Sequence, residues 1–176
     1  MAFYFVYRGG YPASVHRQGN VLRRDTPPQL TGRWHIRGWI GNITYGGIWV
    51  KKVFLTERGP KAVGPYSTAV IQGETAYLSG MLPVDPATGK LAEGGIGAQA
   101  RQSLSNIKTV LEEMGLSLSN LLKVSIFLTD LGNFSEVNAI YGEFLEMPYP
   151  ARSCVQVAAL PLGALIEIEV VAATKL

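Results

Sequence analysis

From residue 51 onward, apolar and polar positions in this 176-residue chain alternate with the periods of strands and helices in turn. Lys52-Val53-Phe54-Leu55 reads as a short strand. Ala69-Val70-Ile71-Gln72 and Thr75-Ala76-Tyr77-Leu78-Ser79 flank Gly73-Glu74, which predicts a hairpin. Asp85-Pro86-Ala87-Thr88-Gly89 is a loop. Ala100, Leu104, Ile107, Leu111 and Met114 recur at three- and four-residue spacing, predicting a helix over 98–114 that Gly115 ends. Leu121 to Thr129 alternates as a strand. Asn133 is placed as the N-cap of a second helix, with Glu136 in the capping-box position and Phe134, Val137, Tyr141 and Phe144 as its buried stripe. Two strands, one beginning near Tyr149 and one over Ile166–Val170, close the chain across a short Pro/Gly connection. The order β, β, β, α, β, α, β, β, with a mostly antiparallel or mixed sheet, defines an α+β domain.

Residues 1–50 differ in kind. They hold all three Trp, both His, eight of the twenty Gly, and six Arg against one acidic residue, Asp25. No sustained period runs through them, although Trp39 to Trp49 reads as a short strand pair. Their charge of +5 hides a body, residues 51–176, with ten Lys plus Arg and twelve Asp plus Glu, a net −2. The body carries no basic stripe of the kind that neutralises phosphates, which argues against a nucleic-acid partner. No apolar run approaches the roughly 18 residues of a membrane span. The greasy start, Met1 to Tyr7, lacks the basic flank of a signal peptide. One cysteine excludes an internal disulfide and a cysteine-cluster zinc site, so no metal is expected and the cytoplasm is the default compartment.

The chemistry concentrates in the last two strands. The period of two puts Arg152, Cys154 and Gln156 on one face of the first, and Glu167 and Glu169 on one face of the second. Arg152 reads either as an ordinary rim residue or as a bidentate clamp on a carboxylate. Glu167 and Glu169 read either as a solvated edge face or, among Leu165, Ile166, Ile168 and Val170, as carboxyls whose pKa desolvation would raise toward general-base work. Cys154 has no base nearby and reads as packing rather than nucleophile. Residues 51–176 contain no His, so this part cannot assemble Ser-His-Asp or Cys-His catalysis. Gly95-Ile96-Gly97-Ala98-Gln99-Ala100 matches a G-x-G-x-x-A pattern but follows a polar loop, not a strand, and is read as a helix start.

Six motifs then occur in order: Gly64-Pro65-Tyr66-Ser67, Leu78-Ser79-Gly80, Gln99-Ala100-Arg101-Gln102-Ser103-Leu104 with Asn106, Val137-Asn138 with Tyr141, Pro150-Ala151-Arg152-Ser153, and Ile166-Glu167-Ile168-Glu169. Together they resemble the Rid (YjgF) family of reactive-intermediate deaminases, also labelled L-PSP endoribonucleases, over about residues 52–174. The resemblance implies a chorismate-mutase-like α+β domain with two helices on one face of a mixed sheet. It also implies a barrel-like homotrimer with three pockets between subunits, so that one chain alone would lack a complete site. The implied reaction is hydrolysis of 2-imino acids, such as 2-iminobutanoate and 2-iminopropanoate, to 2-keto acids and ammonia, with no cofactor. In this reading Arg152 holds the substrate carboxylate and Glu167 positions or activates the attacking water. Tyr66, Ser79, Gly80, Asn138 and the backbone near Cys154 line the pocket.

Nothing in residues 1–50 matches the family. They form an N-terminal extension, read as disordered or as a frame begun too far upstream, with Val50 as an alternative start. The Arg-rich, acid-poor composition fits a transit peptide in part, but Ser14 is the only serine there. Two other functions stay in view: an endoribonuclease or translation inhibitor, and a non-catalytic trimeric binder of small carboxylates that would need Arg152 but not Glu167.

Overall fold

The computed structural model describes the backbone of residues 32–36 and 39–43, and residues 51–175 with their side chains. In chain order the elements are strands β1 (Gly32–Ile36), β2 (Trp39–Ile43), β3 (Lys52–Phe54), β4 (Ala69–Gln72) and β5 (Thr75–Met81), helix α1 (Gly95–Glu113), strand β6 (Leu121–Leu128), helix α2 (Phe134–Phe144), and strands β7 (Ala151–Gln156) and β8 (Ile166–Ala173). All eight strands join one sheet in the order β1-β2-β3-β4-β5-β8-β6-β7. Only β6 and β7 run parallel; the other neighbours are antiparallel. The result is an α+β domain with a mixed sheet and two helices.

The register explains which face each residue takes. Directly paired residues share a face, so Phe54, Ala69, Leu78, Val170, Val124 and Arg152 form one row across the sheet. The apolar members of that row are all buried, as are Ile126, Ile168, Leu128 and Ile166 in the neighbouring rows. Against this face packs α1, through Ala100, Leu104, Ile107, Val110 and Leu111. Fully burying one such isoleucine or leucine contributes about 1.5–3 kcal/mol, which makes this layer the main source of stability. The alternate residues, among them Val53, Val70, Tyr77, Val171, Phe127 and Val155, line the other face and remain partly or largely exposed.

Four expectations need correction. The strand pair expected over Trp39–Trp49 is instead β2 paired with β1 on one side and β3 on the other; residues 44–50, and the expectations that fall on residues 1–31, lie outside the described residues. Helix α1 starts at Gly95, three residues before the predicted start at 98, because Gly94 takes a left-handed turn at φ 106°. Asn133 makes no side-chain cap on α2. A 3-10 turn over Leu131–Asn133 precedes that helix, and Asp130 caps this turn by accepting from the Gly132 N–H at 2.8 Å. Phe134 is 39% exposed rather than buried. Its ring is engaged elsewhere, as described below. Gly115 does end α1 as expected: at φ 76° it lets the Leu116 N–H reach the Leu111 carbonyl at 2.8 Å.

Polar side chains of α1 tie down the loops around one end of the sheet. Asn106 donates to the carbonyls of Leu82 (3.1 Å) and Val84 (2.8 Å), and Gln99 accepts from the Leu165 N–H at 2.8 Å. Glu113, at the helix C-terminus, accepts from the Thr56 hydroxyl and from the N–H groups of Glu57 (2.9 Å) and Arg58 (3.1 Å). Burial works to raise the Glu113 pKa, but these bonds and the Arg58 charge outweigh it and hold the carboxyl below its ordinary value. A depressed folded-state pKa gives stability that is present above the unfolded pKa of about 4.3 and is lost as pH falls through the folded value. Glu113→Ala is therefore expected to lower the free energy of urea unfolding by about 1–3 kcal/mol at pH 7. The gap to wild type should narrow below about pH 4, and an equal gap at pH 3 would contradict this role.

Candidate active site

Arg152 leaves the start of β7 on the helix-covered face, where its guanidinium lies 4.7 Å from the centroid of the Tyr141 ring and 5.7 Å from that of Phe134. The two rings sit seven residues apart on α2, two helical turns, and so present the same side of the helix to β7. Stacking on aromatic faces fixes the plane of the fork while leaving its N–H donors unspent. Among the described residues the Arg152 guanidinium makes no ion pair and no hydrogen bond. A half-buried, oriented and uncompensated guanidinium has its N–H donors free for an anion. It opens onto a cleft of about 360 Å³ lined by Asn138, Tyr141, Gly142, Tyr149 and Pro150.

Cys154 follows on the same face, partly buried against the core. Burial pushes its thiol pKa up, with Arg152 acting weakly the other way, so it stays a protonated packing group. Burial likewise raises the Tyr141 hydroxyl, opposed by Arg152.

Glu167 lies elsewhere. Strands β7 and β8 follow one another in sequence, but β6 is inserted between them in the sheet. Val124 pairs with Arg152, whereas Phe127 pairs with Glu167. Three residues along and two strands across place the two side chains' backbones about 10 Å apart in each direction. The odd offset also puts them on opposite faces. A single small substrate cannot touch both within one chain.

Instead Glu167 packs on Gly80. The register between β5 and β8 slips by one residue between Leu78 and Met81, a bulge that brings Ser79 and Gly80 together opposite Glu169. A Cβ at Gly80 would stand 1.8 Å from Glu167 Oε1 and 2.7 Å from its Cδ, so any larger residue there would push the Glu167 carboxyl off this position. Ser79 is held by its hydroxyl donating to the Ser67 carbonyl at 2.7 Å. Beside them a small cavity of about 80 Å³ is lined by Tyr66, Ser79, Gly80, Val63, Leu82 and Leu162. Burial, then the neighbouring Glu169 charge, raises the Glu167 pKa.

The expected residues thus fall into two groups: Asn138, Arg152 and Cys154 near one sheet edge, and Tyr66, Ser79, Gly80 and Glu167 near the β5–β8 bulge. A third cleft of about 340 Å³, between the C-terminal ends of the helices, contains none of them. Phe134, Tyr149 and Leu162 were missed. The seven-residue spacing of Phe134 and Tyr141 was the available signal for the first; nothing in the sequence marked the other two. Among the described residues no three of His, Cys, Asp and Glu gather as a metal set, and no helix is long and apolar enough to cross a membrane.

The described residues thus form a mixed-sheet α+β domain with a stacked strand-start arginine and a carboxyl seated on a bulge glycine. The chain belongs to the family described as Endoribonuclease L-PSP, whose model matches residues 56–174. It is 43% identical over 123 residues to the 2-iminobutanoate/2-iminopropanoate deaminase of Bos taurus, covering 70% of this chain and 90% of that one. The protein of the same name from Salmonella typhimurium is 44% identical, with 72% and 100% covered. The crystal structure of RidA from an Antarctic Psychrobacter superposes with a TM-score of 0.65 at 47% identity, covering 67% of this chain and 95% of that one.

The Glu167 carboxyl should titrate above the ordinary value of about 4.3 in a carbon-13 NMR pH series. Because burial is the larger cause, Glu169→Gln should lower that midpoint only in part. A midpoint at or below the ordinary value would contradict the buried, unpaired placement.

Proposed function

We propose that this protein is a hydrolytic 2-iminobutanoate/2-iminopropanoate deaminase, converting reactive 2-imino acids to 2-keto acids and ammonia in the cytoplasm. The observation that carries this reading is the uncompensated Arg152 fork, stacked on Tyr141 and Phe134 and open to a cleft. The names of the cattle and Salmonella relatives point the same way.

Arg152 binds the substrate carboxylate through two parallel hydrogen bonds and so fixes the C=N carbon in place. Glu167 takes a proton from water as the oxygen adds to that carbon. It returns that proton to nitrogen, and as the carbinolamine collapses the hydroxyl proton follows through Glu167 to the same nitrogen, so the C–N bond breaks and ammonia leaves with both protons of the water. A raised pKa suits a group that must both accept and give a proton near neutrality. Asn138, Tyr66, Ser79, Gly80 and the backbone at Cys154 line the pocket, and the step needs no cofactor.

Because Arg152 and Glu167 lie too far apart within one chain, the complete site forms between copies. The chain is proposed to assemble as a barrel-like, chorismate-mutase-like homotrimer in which Asn138, Arg152 and Cys154 of one copy face Tyr66, Ser79, Gly80 and Glu167 of the next. The uncovered sheet face supports this: Tyr77 is 52% and Val155 46% exposed, an apolar surface that a second copy would bury. Endoribonuclease activity fits less well, since residues 51–176 carry a net −2 and no His.

The test couples the purified protein to an amino-acid dehydratase or oxidase that releases the imine. Arg152→Ala should lower keto-acid release at least about 100-fold, mainly through KM. Glu167→Gln should lower kcat while 2-oxobutanoate still binds. Wild-type protein that does not accelerate keto-acid release would refute the deaminase reading, and RNA cleavage surviving Arg152→Ala would favour the nuclease.

A further inference from the structure

Strands β4 to β8 carry four charged side chains: Lys123 on β6, Arg152 on β7, and Glu167 and Glu169 on β8. Among the described residues none of the four forms an ion pair. The Glu167 and Glu169 carboxyls, like the Arg152 guanidinium, also lack a hydrogen bond. Lys123 Nζ donates to Ser153 Oγ at 2.6 Å, which uses one of the three donors of its ammonium. The two cations are close neighbours, because Val124, the residue after Lys123, pairs with Arg152. The two carboxyls lie two residues apart on one face of β8, near enough that the Glu169 charge helps raise the Glu167 pKa.

Lys123 and Glu169 both belong to the uncovered face of the sheet, since Lys123 pairs with Val171 and Ser125 with Glu169. They are diagonal neighbours, within reach of one another for a long side chain. Lys123 nevertheless turns the other way, toward Ser153 on β7. That strand ends the sheet, so Arg152 on one face and Lys123 on the other both stand at its rim. The sheet is thereby polarised, with cations at the β6–β7 rim and unpaired carboxyls on β8. Glu169 is exposed in the single chain, among the apolar residues that a second copy would cover. Covering a lone carboxylate is costly unless the covering surface brings a cation. A head-to-tail contact brings one: the rim of one copy meets β8 of the next, and the charges match two by two.

We propose that Lys123 of one copy pairs with Glu169 of the next, an ion pair between copies that sets their alignment and so brings Arg152 opposite Glu167. This rests on the shared-site deaminase reading and adds to it the contact that aligns the copies. The contact is heterologous: each copy offers its cationic rim to one neighbour and its carboxyls to the other, so it closes as a ring and not as a two-fold dimer. Lys123 and Glu169 touch no substrate and act as positioning residues.

The experiment follows assembly of the full chain by analytical ultracentrifugation, with circular dichroism to establish that each variant is folded. Lys123→Glu and Glu169→Lys should each raise the trimer's dissociation constant at least about tenfold, because like charges then meet at the contact. The double variant, with both reversals in one chain, should restore the trimer. Mixing the two single variants should restore it in part, since opposite charges face each other at most contacts of a mixed ring. A pair formed inside one chain would gain nothing from mixing. Folded single variants that assemble as wild type does, or a mixture that stays apart while the double variant assembles, would overturn the pairing. Wild-type protein that sediments as a monomer would overturn the shared site and this inference with it. A wild-type trimer that hydrolyses no imine, with the charge-reversal pattern intact, would remove the deaminase reading and leave the ion pair standing.

Discussion

Strand β6 pairs with β7 on one side and β8 on the other, and this placement governs everything chemical about the domain. It keeps two uncompensated charges apart. An arginine and a carboxyl on adjacent strands would find each other, form an ion pair and satisfy themselves. Separated by a strand and turned to opposite faces, Arg152 and Glu167 each remain unpaired, and each keeps its capacity for a ligand. The cost is met locally: aromatic rings support the guanidinium, and the carboxyl rests on a glycine with its pKa raised.

The same sheet links stability to this chemistry. Its helix-covered face is packed with Ile126, Ile166, Ile168, Val124 and Val170, which hold the strand register rigidly. A one-residue slip in β7 or β8 would turn Arg152 or Glu167 to the wrong face. Helix α1 contributes from the other side, since Asn106 and Gln99 pin the loops that border the cavity beside Gly80. The uncovered face, with Tyr77, Phe127, Val155 and Val171, has no layer of its own, and in the proposed assembly a second copy supplies it.

Much of this was legible in the chain. The 3.6-residue stripe of α1 and the period of two in β6 and β8 follow directly from burial on a single face, so their apolar positions coincide with the core. Arg152 and Glu167 were conspicuous because charge in so apolar a setting demands a reason. What the pattern could not convey was sheet order. Strands β7 and β8 adjoin in sequence, yet β6 lies between them, and a parallel β6–β7 ladder is a non-local choice with no signature in either strand alone. The Asn133 cap failed for a related reason: Asp130, three residues earlier, captured the turn first. Leu162 was invisible because its positive φ of 60° is imposed by its loop and not by its own preference.

The central claim is that one catalytic unit takes Arg152 from one copy and Glu167 from the next. It is tested most directly by mixing two inactive proteins, Arg152→Ala and Glu167→Gln, under conditions that exchange subunits, and then assaying imine hydrolysis. If the site is shared in a ring of three, every mixed trimer contains one intact site, and an equimolar mixture recovers about a quarter of wild-type activity. A mixture that exchanges subunits yet stays as inactive as its parents would contradict the account.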